Sequence, residues 1–404
     1  MPTRYLLPAL FLWACTNGGA ARPQAEGTPP ATERDRLVAG DLAVWRTVDT
    51  TEAEAQADVA CLQRFFAHKL DSGAAQDFWW RPDMDTYVRP YEDLLYTEYD
   101  SAARVRYLPT LMERRPLPDG TRLLRVKWAR RDSTGAQEEV RQVFGFVVRD
   151  TPEGPRLAMP LENNTATWER QQVGPITYIV SPQRKFDPAV ARAQEQDVEA
   201  LGRFFGIAPF PITYYSFKDP AELFRARGFE LYPAMYAHAT GGRLDHGGQV
   251  YAGNNSERYT HEIVHAFIFR RLGRSGMDLL HEGLATWLGG SNGHPYAWHR
   301  AQLQRLLAEE PDRDLRKDLN VYNSAYYADE TNVAYTIGAL VVEHIMRTGV
   351  KEAPASPAGR LFALFAEEHT DLSALEQYGI REAEINSWVR EALAKEAVLF
   401  EVIR

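Results

Sequence analysis

The stretch His261-Glu262-Ile263-Val264-His265, followed by His281-Glu282-Gly283, constrains this chain more than any other. Histidines four apart on a helix lie on one face, about one turn apart, so both imidazoles reach a single metal ion. Glu262 stands beside them, on the flank from which a carboxylate reaches a metal-bound water. The pattern suits a zinc hydrolase with Glu262 as general base. Five residues alone also occur by chance, so the surrounding chain has to carry the reading.

That surrounding chain punctuates the helix well. Asn254 and Glu257 have the spacing of a capping box, Arg270 and Arg271 sit at the far end, and Gly273 is a suitable cap. Ile263, Val264, Phe267 and Ile268 make the helix apolar on more than one side, which predicts burial on most faces. Polar side chains on such a helix need partners, and metal ligation supplies them. Catalytic zinc sites use three protein ligands plus water, so a third ligand is expected on a neighbouring element. A second helix is predicted over 279–288, with Asp278 as its cap and Gly289-Gly290 ending it. Glu282 lies one turn in. Gly283 and Ala285 are small, as expected where two helices approach closely, and Leu280, Leu284 and Leu288 form a packing face.

His261, Glu262, His265 and the run Glu282-Gly283-Leu284-Ala285 resemble the gluzincin metallopeptidases, the superfamily of thermolysin and aminopeptidase N. The resemblance covers about residues 170 to 395. It implies one Zn2+ ion bound by His261, His265 and Glu282, with Glu262 as general base and proton shuttle in peptide-bond hydrolysis. It also implies a catalytic tyrosine at the start of the apolar helix that begins at Asn332 and ends near Gly349. Tyr335 fits that position as donor to the oxyanion. Packing is the alternative for Tyr335, and Tyr326 and Tyr327 are rivals. Four departures stand out. The gap of sixteen residues between His265 and Glu282 is slightly short. Thr286 stands where many members carry an acidic residue that orients a ligand histidine. His281 replaces the asparagine usual in aminopeptidase-like members, leaving a role beside the ligands or a place on the helix surface. The exopeptidase signature Gly-x-Met-Glu-Asn is absent, which weakens an aminopeptidase reading.

The approach to the motif reads as a strand at 176–180 and a helix opened by Asp187-Pro188 and closed at Gly206. A strand at 212–217 and a loop-rich region containing Gly228, Pro233, Gly241 and Gly242 come next. A short edge strand, Gln249 to Ala252, then borders the cleft. Such an edge invites β-augmentation by a peptide. After the motif, 301–309, 362–365 and 382–393 read as helices closing over the core. His294, His299, His344 and His369 lack ligand spacing and read as surface or packing residues.

Upstream, 51–70 reads as an amphipathic helix with Val59, Leu62, Phe65, Phe66 and Leu70 as its apolar side and Cys61 as a buried thiol. Trp79 and Trp80 either line a pocket or pack in the core. Leu124, Val126 and Trp128, then Phe144, Phe146 and Val148, alternate with polar residues as strands do, with turns at Pro118-Asp119-Gly120 and Asp132 to Gly135. Helix first, then an antiparallel meander, resembles the nuclear-transport-factor-two-like fold over roughly residues 40 to 165.

Arg4 and the apolar run Tyr5 to Trp13 form an export leader, too short to span a bilayer. Leu12-Trp13-Ala14-Cys15 resembles a bacterial lipobox, which implies lipid on Cys15 and a membrane-anchored lipoprotein. The alternative is an ordinary secretory signal cut near Ala20 or Ala21. Two cysteines, Cys15 and Cys61, give no disulfide framework. A net charge of −9 argues against nucleic acid as the main partner.

The expected organisation is α+β: a signal peptide over 1–15, a flexible tether over 16–38, a cone-like helix-plus-antiparallel-sheet domain over 39–165, and a gluzincin-like peptidase domain over 170–404, with a mixed sheet and a helical C-terminal part. The expected function is exported, zinc-dependent hydrolysis of a peptide or protein substrate. The alternative is a catalytically silent, zinc-containing binding lipoprotein that uses the peptidase fold as scaffold.

Overall fold

A computed structural model describes residues 41–100, 102–131, 137–273, 276–327, 331–348, 357–366 and 372–399. The leader, the tether, Cys15, the turn expected at Asp132 to Gly135, Gly349 and His369 lie outside these residues. The chain is α+β with mixed sheets. It divides into two compact units. One ends at Trp168 and also takes in Pro220–Ala237. The other comprises Glu169–Asp219 and the chain from His238 onward.

In the first unit, β1 (Ala43–Val44) precedes the helices α1 (Ala53–His68), α2 (Ser72–Ala75) and α3 (Arg81–Tyr87). The strands β2 (Leu108–Pro116), β3 (Arg122–Arg131), β4 (Glu138–Thr151) and β5 (Gly154–Ala158) then form an antiparallel meander, followed by α4 (Leu161–Thr165). The period-two pattern does what it promises: Leu124, Val126, Trp128, Phe144, Phe146 and Val148 are all buried. Helix α1 buries Cys61, Leu62, Phe65 and Phe66 against them. Leu70 departs from the expected apolar side. It lies beyond the last turn of α1 and is 49% exposed. Trp79 packs edge-on against Phe65, with ring centroids 5.5 Å apart, so it is core. Burial pushes the Cys61 thiol up to about 11, as fits an unreactive core cysteine.

In the second unit, β6 (Glu169–Val173), β7 (Ile176–Val180), α5 (Pro188–Phe205) and β8 (Ile212–Ser216) come first. Asp187 caps α5 by accepting from the Ala189 and Val190 amides, and Gly206 closes it in the left-handed region. The chain then departs from the sequence reading. The stretch expected to be loop-rich holds α6 (Pro220–Ala226) and β9 (Phe229–Leu231), which fold with the first unit, β9 pairing with β4. On its return the chain forms β10 (Gly241–Leu244) and β11 (Val250–Gly253).

The sheet order is β10-β11-β8-β7-β6. Its three middle strands are parallel and its two outer strands antiparallel. The edge is therefore β10, while the strand expected there, β11, lies one position inward. A Cβ on Gly242 would fall 2.1 Å from the Tyr259 ring, so this glycine, which suggested a loop, instead admits an aromatic ring against the edge strand.

After this sheet come α7 (Thr260–Leu272), α8 (Asp278–Gly289), α9 (Tyr296–Glu309), the short hairpin β12 (Tyr326–Tyr327) and β13 (Thr331–Asn332), then α10 (Val333–Arg347), α11 (Pro357–Ala366) and α12 (Ile385–Ala394). They share one apolar core with β7, β8 and α5.

Candidate metal centre

Helix α7 carries the motif, but its N-terminus is not held as the sequence suggests. Asn254 and Glu257 form no capping box; the residue before the helix is Tyr259, which gives no side-chain cap. Helix α5 supplies the partners instead. Gln194 Oε1 accepts from the Tyr259 amide at 2.7 Å, and Asp197 Oδ2 accepts from Thr260 Oγ1 at 2.6 Å. Glu257 is occupied elsewhere, in a buried ion pair with Arg184 at 2.9 Å. Asn254 turns inward on its own loop, accepting from the Ser256 amide. The far end is as expected, with Arg270 and Arg271 in the last turn and Gly273 as cap.

Three donor atoms converge. His261 Nε2 lies 3.3 Å from His265 Nε2 and 3.2 Å from Glu282 Oε2, and His265 Nε2 lies 3.6 Å from the same carboxylate oxygen. All three side chains are buried. Zinc bonds of about 2.0–2.1 Å in a tetrahedron separate neighbouring ligand atoms by about 3.3–3.4 Å, so the triangle has the size of one face of a zinc site. Two imidazoles and one carboxylate also suit zinc chemically. Among the described residues this is the group of His, Asp and Glu side chains that meets the geometry for holding a metal.

The charge balance points the same way. Burial opposes charge on His261, yet the hydrogen bond and charge of Glu282, with Glu262 behind it, raise its pKa above the usual histidine value. Burial also opposes ionisation of Glu282, but His265 and His261 outweigh it and hold the carboxyl well below the usual range. The two shifts are the two sides of one buried ion pair. Glu262 differs: burial dominates and raises its carboxyl, against the opposing charges of His261 and His265. A carboxyl raised in this way holds its proton to higher pH than an exposed one.

Ligand histidines are oriented through their other ring nitrogen. His261 Nδ1 donates to the Gly290 carbonyl at 2.7 Å. A backbone carbonyl thus stands at the His261 ring nitrogen for which an acidic residue at 286 would be sought, and Thr286 is buried. His265 Nδ1 is buried with no hydrogen-bond partner among the described residues. His281 is not a surface residue. It is buried edge-on against Phe365, with ring centroids 4.9 Å apart. The small residues expected on α8 are used, because Gly283 meets Gly338 of α10 backbone to backbone. Asp278 is the first residue of α8 rather than its cap.

Tyr335 enters α10 through the cap of Asn332, whose side chain accepts its amide at 3.0 Å. Its ring lies parallel to that of His261, with centroids 5.8 Å apart and planes 14° apart. Tyr326 stacks on His238 instead, and Tyr327 is buried.

The residues that sequence reasoning missed are those of the turn after α8. Gly290 leaves the helix at φ +71°, and Asn292 and Gly293 follow at φ +48° and +81°. The Asn-Gly pair was the available signal, since it is the favoured sequence for a two-residue turn with both φ values positive. Compared with described protein families, curated proteins and solved structures, the chain matches none.

Proposed function

We propose that this chain is a zinc-dependent metallopeptidase of the gluzincin type. One observation carries the reading: two histidines of α7 and Glu282 of α8 present three donor atoms at tetrahedral spacing, with Glu262 beside the histidines on α7. A zinc ion held by His261, His265 and Glu282 would supply a Lewis acid that acidifies water and polarises a peptide carbonyl. Glu262 takes the proton from the attacking water and passes it to the leaving amine. Tyr335 donates its phenolic proton in a hydrogen bond to the oxyanion. The substrate is an extended peptide whose backbone pairs with the outer edge of β10, a mode that reads main chain before side chains.

The mixed sheet, the helical C-terminal part and a first unit of helices followed by an antiparallel meander support the two-part architecture, with its gluzincin-like and nuclear-transport-factor-two-like halves. Export with lipid on Cys15 completes the proposal. No described helix is long and apolar enough to cross a membrane.

The experiment is metal analysis of the purified chain together with cleavage of a reduced, alkylated protein, with and without a chelator. Glu262→Gln should retain one zinc per chain and lose turnover. Zinc with no chelator-sensitive cleavage by the native chain would favour the silent binding lipoprotein. Full cleavage by the Gln variant would remove Glu262 from the mechanism.

A further inference from the structure

We infer that His299 is a positioning residue for the metal centre, acting through the turn 290–294 to aim the carbonyl that orients His261. The inference rests on the zinc reading above.

The connection follows one peptide plane. The Gly290 carbonyl and the Ser291 N–H belong to the same planar trans peptide and point in opposite directions. On one side that carbonyl accepts His261 Nδ1–H at 2.7 Å. On the other, the Ser291 N–H donates to the His294 carbonyl at 3.0 Å. The direction in which Gly290 faces His261 is therefore set by where His294 O stands. His299 fixes that point. Its Nε2 lies 3.2 Å from His294 O and 3.2 Å from Ser291 O, the two carbonyls that close the turn. Both partners are acceptors, so the ring proton sits on Nε2.

The turn is built to transmit this. Ser291 and His294 exchange amide bonds at 3.0 Å in each direction around Asn292-Gly293. Gly290 cannot be another residue: besides its positive φ, a Cβ there would lie 2.2 Å from His294 O. A Cβ on Gly289 would lie 2.5 Å from the His261 amide nitrogen. The turn thus sits directly against the first ligand, and it begins where the helix that carries the third ligand ends. His299 is fully buried, and burial pushes its imidazole down to about 4, which keeps it neutral with a single proton. Its Nδ1 is buried without a hydrogen-bond partner among the described residues, so the ring's polar contact is spent on the turn.

The test compares His299→Leu with His299→Gln in the full chain. Zinc affinity is read by competition with a chromophoric chelator, and ligand geometry by the visible spectrum of the Co2+-substituted protein. Leucine fills the space but donates nothing, and should weaken zinc about ten- to a hundredfold, the usual effect of losing a partner of a ligand histidine. It should also alter the cobalt spectrum. Glutamine carries an N–H to the position of Nε2 and should restore both. Val389→Ala, a cavity in α12, which carries no residue of the metal centre or of the turn, controls for stability and should lower the melting temperature while leaving affinity and spectrum unchanged. Should the leucine variant fail to fold, His299→Asn, whose amide falls short of both carbonyls, carries the same expectation. Native affinity and spectrum in the leucine or asparagine variant would overturn the inference. Loss in the glutamine variant equal to that in leucine would overturn it too. A native chain that takes up no zinc would remove the metallopeptidase reading itself and this inference with it.

Discussion

Gly283 of α8 and Gly338 of α10 touch through their backbones: a Cβ on Gly283 would lie 2.2 Å from the Gly338 carbonyl carbon, and one on Gly338 would lie 2.1 Å from the Leu279 carbonyl oxygen. Glu282, the proposed third ligand, precedes the first of these glycines, so on that proposal the separation of the two helices bears on how far its carboxylate reaches. Gly283→Ala gains about 1 kcal/mol of helix propensity. It must also push apart two backbones that have no soft atom to yield, and overpacking of this kind costs about 1–3 kcal/mol or more. The expected outcome is a lower melting temperature together with weaker zinc binding, read by calorimetry and chelator competition. A stabilised variant with native affinity would show that α8 and α10 separate freely.

Tyr335→Phe keeps the ring that stacks on His261 and removes only the hydroxyl. If that hydroxyl serves the oxyanion, kcat should fall by about 10²–10³, the effect of removing one such donor. KM and bound zinc should stay near native, because the loss is confined to the transition state. Steady-state kinetics on a fluorogenic peptide with metal analysis checks this. Unchanged kcat would assign Tyr335 to packing and turn attention to Tyr326.

Much of the site was legible because its signals are local. Two histidines one turn apart, a glycine cap at 273 and the pair Asp187 and Gly206 around α5 need only neighbours in sequence to be read. What failed depends on partners far along the chain. Glu257 has the spacing of a cap, but Arg184, 73 residues earlier, claims it. Gly242 looks like part of a loop until Tyr259 packs on it. Phe229 belongs to a strand whose partner, Phe144, lies 85 residues earlier in the chain. The carbonyl that orients His261 carries no sequence signature, because every residue has one; only the glycines that free it and the Asn-Gly turn could have marked the place.

Asp83 makes the first unit sensitive to pH. Burial raises its carboxyl to about 7, although the Met159 amide donates to it at 2.5 Å. The folded-state pKa lies above the unfolded one, so between about pH 4 and 7 the folded chain holds a proton that the unfolded chain has released. Stability attributable to this residue therefore falls as pH rises through that window, and the cost is complete above 7. Asp83→Asn keeps an oxygen for the Met159 amide and abolishes the titration. The variant should match the native chain near pH 4 and exceed it by up to a few kcal/mol at pH 8. Denaturant unfolding of both proteins across that range measures the difference, and a pH-independent difference would remove Asp83 as the cause.

The ion pair between Arg184 and Glu257 is almost wholly out of water, with side chains 4% and 2% exposed and 2.9 Å between them. Arg184 also donates from Nε to Asn255 Oδ1 at 3.0 Å, tying the loop before α7 to the segment after β7. Burial raises the Glu257 carboxyl even with Arg184 beside it, a sign that desolvation of this pair is costly. Removing one partner leaves an uncompensated buried charge, so Glu257→Leu should lose about 3–5 kcal/mol. Removing both, in Arg184→Met with Glu257→Leu, replaces the pair by apolar groups of similar volume and should recover most of that loss. Zinc affinity sharpens the comparison. If the pair serves only stability, the double variant should bind zinc as the native chain does. If it also fixes the register at which α7 starts, affinity should stay low after stability has returned. Unfolding and zinc titrations on the three proteins separate these roles, and a single variant with native stability and native zinc affinity would show that the pair contributes to neither.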